Sequence, residues 1–135
     1  MKRILIIDDE PEYSENLGFA LTELLCVEVK QVIAIDSAIF ELKNRTYDLI
    51  ITDWYLKGEG ENKTPKKMIK DIRNGNFNVE GSSYKVSKIP IIIFSGISYE
   101  FVMEVLGSIE DIFFFRKGID EMELFEYLRK RFKHS

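Results

Sequence analysis

Five side chains of this 135-residue chain are of types, and at positions, that would do chemistry together: Asp8, Asp9, Asp53, Ser95 and Lys117. Asp8 and Asp9 follow the apolar run Ile4–Ile7, and Asp53 closes the run Ile50-Ile51-Thr52. Ser95 follows Ile91–Phe94, and Lys117 stands two residues beyond Phe113-Phe114-Phe115. Singly, each has a plain explanation. Asp8-Asp9 would cap a helix, Asp53 and Ser95 would serve turns, and Lys117 would be a solvated charge. Together they mean more, because three carboxylates at one place repel one another unless a cation joins them. The donors are all oxygens, and the only histidine, His134, is one residue from the end of the chain. That set favours a hard ion that keeps several waters, Mg²⁺, over zinc. A carboxylate beside Mg²⁺, an ammonium and a hydroxyl is equipped to be phosphorylated. The cations neutralise the incoming phosphoryl oxygens while the carboxylate attacks phosphorus.

The elements that must position these groups follow from the apolar periodicity. Arg3–Asp8, Glu28–Ala34, Asp48–Asp53, Pro90–Phe94 and Asp111–Phe115 read as strands. Three of them are near-continuous in Ile, Leu or Phe, the pattern of strands covered on both faces. Helical spacing lies between them: Leu17, Ala20, Leu21, Leu24 and Leu25; then Ala38, Ile39 and Leu42; then Met68, Ile69 and Ile72. Two more stripes follow, Phe101, Val102, Val105 and Leu106, and finally Leu124, Phe125, Leu128 and Phe132. Thr64-Pro65 has the form of an N-cap and first helical residue, and Asp120 with Glu123 the spacing of a capping box. The stretch Asn74–Ser87, rich in Asn, Gly and Ser, reads as a loop.

A βαβαβαβαβα order requires an α/β fold, with a parallel sheet between two helical layers. For five strands the common solution is the doubly wound, flavodoxin-like order 2-1-3-4-5. Its crevice opens at the carboxyl ends of strands one and three. Four of the five strands thus bring a polar group to one rim, which is the rim that the topology selects for a ligand.

Composition narrows the partners. The net charge of −4 gives no pull toward phosphate backbones or anionic lipid, so neither nucleic acid nor membrane is expected. The basic run Arg129–His134 reads as a solvated helix face. No apolar run approaches the ~20 residues of a membrane helix, and Ile4–Ile7 is too short for a signal peptide. A cytoplasmic protein of one domain, 1–135, is expected. Cys26, the single cysteine, excludes an internal disulfide and a cysteine-based zinc site; between Leu25 and Val27 it is expected to be buried.

The five motif residues, in order and each at its strand end, resemble the receiver domain of two-component response regulators, over essentially the whole chain. The resemblance implies a phosphoacceptor switch, not an enzyme with an outside substrate, and no output domain. It implies that Asp9 and Asp53 bind Mg²⁺ directly, that Asp8 binds it through water, and that the Tyr55 backbone carbonyl completes the protein ligands. Asp53 would take a phosphoryl group from a phosphohistidine on a sensor histidine kinase or a histidine phosphotransfer protein. Lys117 and Ser95 would grip the phosphoryl oxygens. Ser95 and an aromatic residue, here Phe114, would form the switch. Their movement would remodel the face made by the fourth helix, fifth strand and fifth helix, which would take a downstream target or a second copy.

The chain departs from the family pattern in four places. Phe114 stands where tyrosine is frequent, and lacks the hydroxyl. Gly118 replaces the proline that usually follows the lysine after a cis bond; the lysine is expected to reach the site, less rigidly. Trp54-Tyr55-Leu56-Lys57 and Gly58-Glu59-Gly60-Glu61 replace the usual loop after the acceptor; Trp54 and Ile97 are expected to shield the crevice from water. The stretch from Asp53 to Ser95 is longer than usual, mainly through Asn74–Ser87, which is either a docking loop or a tolerated surface insertion. Phe114, Gly118 and the altered loop favour the alternative, a degenerate receiver serving only as an interaction or dimerisation module, and the presence of all five chemical groups opposes it. Other uses of the fold fit less well. A flavin site would want a Ser/Thr/Gly-rich loop where Asp8-Asp9-Glu10-Pro11 stands, and an aspartate phosphatase a carboxylate where Tyr55 stands; no nucleotide P-loop is present.

Overall fold

Each near-continuous apolar run becomes a central strand, and each 3.6-period stripe becomes a helix laid over it. The computed structural model describes residues 1–56 and 63–132. Its elements alternate as β1 (Arg3–Ile7), α1 (Pro11–Leu25), β2 (Glu28–Val32), α2 (Ile35–Asn44), β3 (Leu49–Thr52), α3 (Pro65–Arg73), β4 (Ile91–Ser95), α4 (Tyr99–Leu106), β5 (Ile112–Arg116) and α5 (Glu121–Phe132). A short 3₁₀ turn, Val86–Lys88, precedes β4. The sheet is parallel with order β2-β1-β3-β4-β5, as expected. The register pairs Ile7 with Thr52, Thr52 with Ile93 and Ser95 with Arg116, so the residues after these strands emerge on one rim.

The sheet divides the core in two. Leu5, Ile7, Ile50, Ile91 and Ile93 pack with α2, α3 and α4 through Leu42, Met68, Ile69 and Val102. Ile4, Ile6, Ile51, Ile92 and Phe94 pack with α1 and α5 through Leu21, Leu124 and Leu128. Because both faces are covered, β1, β3 and β4 carry apolar residues at consecutive positions rather than alternate ones. Each fully buried Ile or Leu contributes about 1.5–3 kcal/mol of transfer free energy, so these three strands fix the rim rigidly. The edge strands differ: Glu28, Lys30 and Gln31 of β2 are exposed.

Two expectations need correction. Cys26 is exposed rather than buried: it ends α1 in the left-handed region (φ 53°), and that turn sends the following Val27 into the core instead. Leu24, counted in the apolar stripe of α1, is also exposed; the face that meets the sheet runs through Ser14, Leu17, Gly18, Leu21 and Leu25. At α3, the Thr64 hydroxyl accepts from Lys67 N–H at 3.1 Å, the cap that the sequence indicates. At α5, the Asp120 carboxylate accepts from Arg116 N–H at 2.8 Å and so ties the helix start to the end of β5.

The Asn74–Ser87 stretch is docked on the body. Phe77 and Val86 are buried, and the Tyr84 hydroxyl both accepts from Tyr47 N–H (2.8 Å) and donates to Tyr47 C=O (3.0 Å). Asn78 and Ser87 close its base with paired bonds of 2.9 and 3.2 Å. The half-buried Arg73 guanidinium donates to the carbonyls of Ser87, Ile89, Glu110 and Asp111, so one side chain ties α3 to the starts of β4 and β5. Burial lowers its pKa below the ordinary arginine value. Lys57, the Gly58–Glu61 stretch and His134 lie outside the described residues. Among the described residues, no helix is long and apolar enough to cross a membrane.

Candidate functional site

The rim gathers Asp8, Asp53, Ser95 and Lys117, as the topology requires. Asp8 and Asp53 emerge from adjacent strands and are both 5% exposed. Each carboxylate is held by one oxygen on the backbone and leaves the other free of it. Asp8 Oδ1 accepts from Glu10 N–H at 2.8 Å, and Asp53 Oδ1 from Trp54 N–H at 2.6 Å and Tyr55 N–H at 3.4 Å. The free oxygens meet the Lys117 ammonium, which lies 2.7 Å from Asp8 Oδ2 and 2.8 Å from Asp53 Oδ2. Its third proton goes to Glu10 Oε1 at 2.9 Å.

Lys117 reaches this position because β5 carries it there. Its backbone N–H donates to Ser95 C=O at 3.0 Å, and Gly118 turns the chain away at φ +80°. That conformation is open to glycine without strain. The turn is firmer than the exchange of proline for glycine suggests. Gly118 N–H donates to Glu121 Oε1 at 2.5 Å, and Arg116 N–H to Asp120, so two acidic side chains pin the loop. The ammonium also lies 4.9 Å from the centroid of the Tyr13 ring, a cation–π contact that closes the site on the α1 side.

The electrostatics follow. Burial pushes the Asp8 carboxyl above its ordinary pKa, outweighing the pull of Lys117 and the Glu10 N–H. Burial acts against the Lys117 ammonium, but hydrogen bonds to Asp53, Asp8 and Glu10 prevail and raise its pKa. A single cation therefore stands among three carboxylates.

Asp8, Glu10 and Asp53 bring oxygens within 4.8 Å of one another, the one such group of three among the described residues. An all-carboxylate donor set of that size suits a hard divalent cation. Asp9 lines the same crevice, of about 390 Å³, with Glu10, Asp53, Tyr55, Ser95, Gly96 and Ile97. Ser95 is 2% exposed, and its hydroxyl accepts from Ile97 N–H at 3.5 Å.

Glu10 was not singled out by sequence reasoning. The signal was a third consecutive acid after β1, which reads equally well as a helix-capping charge. The shielding expected of Trp54 also needs correction. Its ring is buried in the cluster on the α3–α4 side, and Tyr55 (60% exposed) and Ile97 line the crevice.

On the fifth strand, Phe113 and Phe115 face α5, with ring centroids 5.2 and 5.8 Å from Tyr127. Phe114 faces the other way and meets Tyr99 of α4 edge-on at 5.7 Å.

No protein-family model matches the sequence, and no curated protein matches it. Solved structures match over nearly the full length. A receiver domain of a Francisella response regulator superposes with a TM-score of 0.71 at 22% identity, covering 98% of each chain. A two-component response regulator from Clostridium difficile gives 0.74 at 21% identity over all of both chains. The receiver domain of a sensor histidine kinase from Pseudomonas aeruginosa PAO1, which has a magnesium ion coordinated in its active-site cleft, gives 0.70 at 21% identity and covers 99% of this chain and 98% of its own. The chain has the fold of a response-regulator receiver domain.

Proposed function

We propose that the chain is a phosphoacceptor switch of a two-component or phosphorelay system, with Asp53 as the acceptor. The observation that carries this reading is the pairing of Asp53 Oδ2 with the buried Lys117 ammonium at 2.8 Å, beside an open crevice that Asp9, Glu10 and Asp53 line. Asp53 Oδ1 is fixed by two backbone N–H groups, which leaves Oδ2 as the attacking atom. With a phosphohistidine donor, the P–O bond to Asp53 forms as the P–N bond breaks, and the imidazole leaves with the electron pair. Lys117 turns from the Asp53 oxygen to a phosphoryl oxygen, and Ser95 donates its hydroxyl to another.

Asp8, Asp9 and Asp53, with the Tyr55 carbonyl, would hold Mg²⁺. When bound, the ion offsets the charge of the acidic crevice and of the phosphoryl oxygens. Release of Ser95 from the Ile97 N–H would open space toward Phe114, whose contact with Tyr99 joins β5 to α4. The output would then be a changed α4–β5–α5 face read by a protein target or a second copy, with no turnover of an outside substrate. A cytoplasmic setting, with a sensor histidine kinase or a histidine phosphotransfer protein as donor, follows from this role.

The test is incubation with phosphoramidate, a small P–N donor, and Mg²⁺. Wild type should gain an acid-stable, base-labile phosphoryl group, and Asp53→Ala should gain none. A wild type that gains none would reject the reading.

A further inference from the structure

Glu10 contacts Lys117 and belongs to the acidic group of the crevice, yet it is not among the Mg²⁺ ligands that the proposed function names. Its Oε1 lies 2.9 Å from Lys117 Nζ, and its side chain is 39% exposed, against 4–5% for Asp8 and Asp53. It is held in place by the backbone, since it is the residue on which α1 begins and its N–H is bound by Asp8.

An ammonium has three protons, and here all three are spent on carboxylates. Two of those carboxylates are the ones a divalent cation would need. Lys117 and the cation therefore compete for the charge of the Asp8 and Asp53 carboxylates, and the cation can enter only if the ammonium gives up ground. Expelling a buried lysine into water would break its contact with Tyr13 and remove it from the phosphoryl site. Glu10 offers a nearer solution, being on the rim, charged, and already in contact.

We propose that Glu10 is a positioning residue for Lys117: it retains the ammonium in the crevice when a divalent cation takes the two aspartates. This rests on the phosphoacceptor reading and deepens it. In the loaded crevice Lys117 would stay within reach of Asp53, charged and ready for a phosphoryl oxygen. Once a phosphoryl group arrives, its negative charge beside the Glu10 carboxylate favours transfer of the lysine from one to the other.

The test is a double-mutant cycle on Mg²⁺ binding, followed by the fluorescence of Trp54, the only tryptophan, whose backbone N–H is bonded to Asp53. The proteins are wild type, Glu10→Gln, Lys117→Met and the double variant, each first checked for a native circular dichroism spectrum. With Lys117 present, Glu10→Gln should weaken Mg²⁺ binding about tenfold, the scale of coupling between charged groups in contact. With Lys117→Met in the background, the same change should cost less than about twofold, because no ammonium needs to be relocated. Equal weakening in both backgrounds would overturn the proposal and make Glu10 a ligand or a simple field charge; no weakening in either would overturn it too. A wild type that binds no Mg²⁺, by fluorescence and by calorimetry, would instead remove the phosphoacceptor reading on which the proposal stands. Glu10→Asp, which keeps the charge on a shorter arm, should recover part of the affinity.

Discussion

Lys117 Nζ lies 2.8 Å from Asp53 Oδ2, and both side chains are only 5% exposed, so the carboxylate and its ammonium partner are desolvated together. Desolvation makes the pair strong and makes its disruption costly. Removing one partner of a buried ion pair leaves the other charge unpaired, and that penalty exceeds the value of the pair itself. Here the lysine serves three carboxylates at once.

Lys117→Met should therefore destabilise the metal-free protein by about 3–5 kcal/mol in urea unfolding at neutral pH. Mg²⁺ should restore more stability to this variant than to wild type, since it then supplies the missing positive charge. Equal Mg²⁺ effects on both proteins would show that the ion binds elsewhere.

Asp8 predicts a pH dependence of defined sign. Its carboxyl is raised above the ordinary value of 3.8, chiefly by burial. Its contribution to stability is therefore fully present below about that unfolded value and is lost as pH rises through the higher folded value. Asp8→Asn should remove this loss. In metal-free buffer its melting temperature should exceed that of wild type at neutral pH, and the two should converge on acidification. The same variant should bind Mg²⁺ at least tenfold more weakly, on the order of one lost charged ligand.

The Arg73 clasp predicts a purely structural effect. Arg73→Met leaves four carbonyls at the starts of β4 and β5 and at the end of the Asn74–Ser87 stretch without their charged donor. A loss of about 2–4 kcal/mol is expected, from a charged hydrogen-bond hub with partly buried acceptors. Hydrogen exchange should accelerate at Ile91, whose N–H bonds to Asp111 C=O, while the far strand β2 is unaffected.

Phe114 and Tyr99 predict how the signal leaves the site. With ¹⁹F-labelled tyrosine, the Tyr99 resonance should shift on phosphorylation as the ring 5.7 Å away turns inward. Ser95→Ala should still be phosphorylated on Asp53 but show a smaller shift, because the hydroxyl that links phosphoryl group to switch is missing. An unchanged Tyr99 signal in phosphorylated wild type would place the output elsewhere.

Much of this was legible in the residue order. The apolar runs Ile4–Ile7, Leu49–Ile51 and Ile91–Phe94, alternating with helical stripes, read as strands covered on both faces, which places helices on either side and a rim where their polar ends meet. Asp8, Asp53, Ser95 and Lys117 were therefore readable by position. What escaped depended on tertiary geometry. Nothing local says that Glu10 meets a lysine 107 positions away. Cys26 looked buried because its neighbours are apolar, but the left-handed turn that ends α1 reverses which of them faces inward. The Asn74–Ser87 composition reads as open loop, and only the Tyr84–Tyr47 and Arg73 contacts show it docked. Trp54 follows Asp53 in sequence, but its backbone N–H alone serves that carboxylate while the indole fills the core.

The most direct measurement of the central claim is intact mass after incubation with acetyl phosphate and Mg²⁺, with Asp53→Ala and a chelator as controls. One added phosphoryl group on wild type, missing in both controls, is the predicted result. A wild type of unchanged mass, or an adduct that persists in Asp53→Ala, would contradict it, and the chain would then be a receiver fold used for interaction alone.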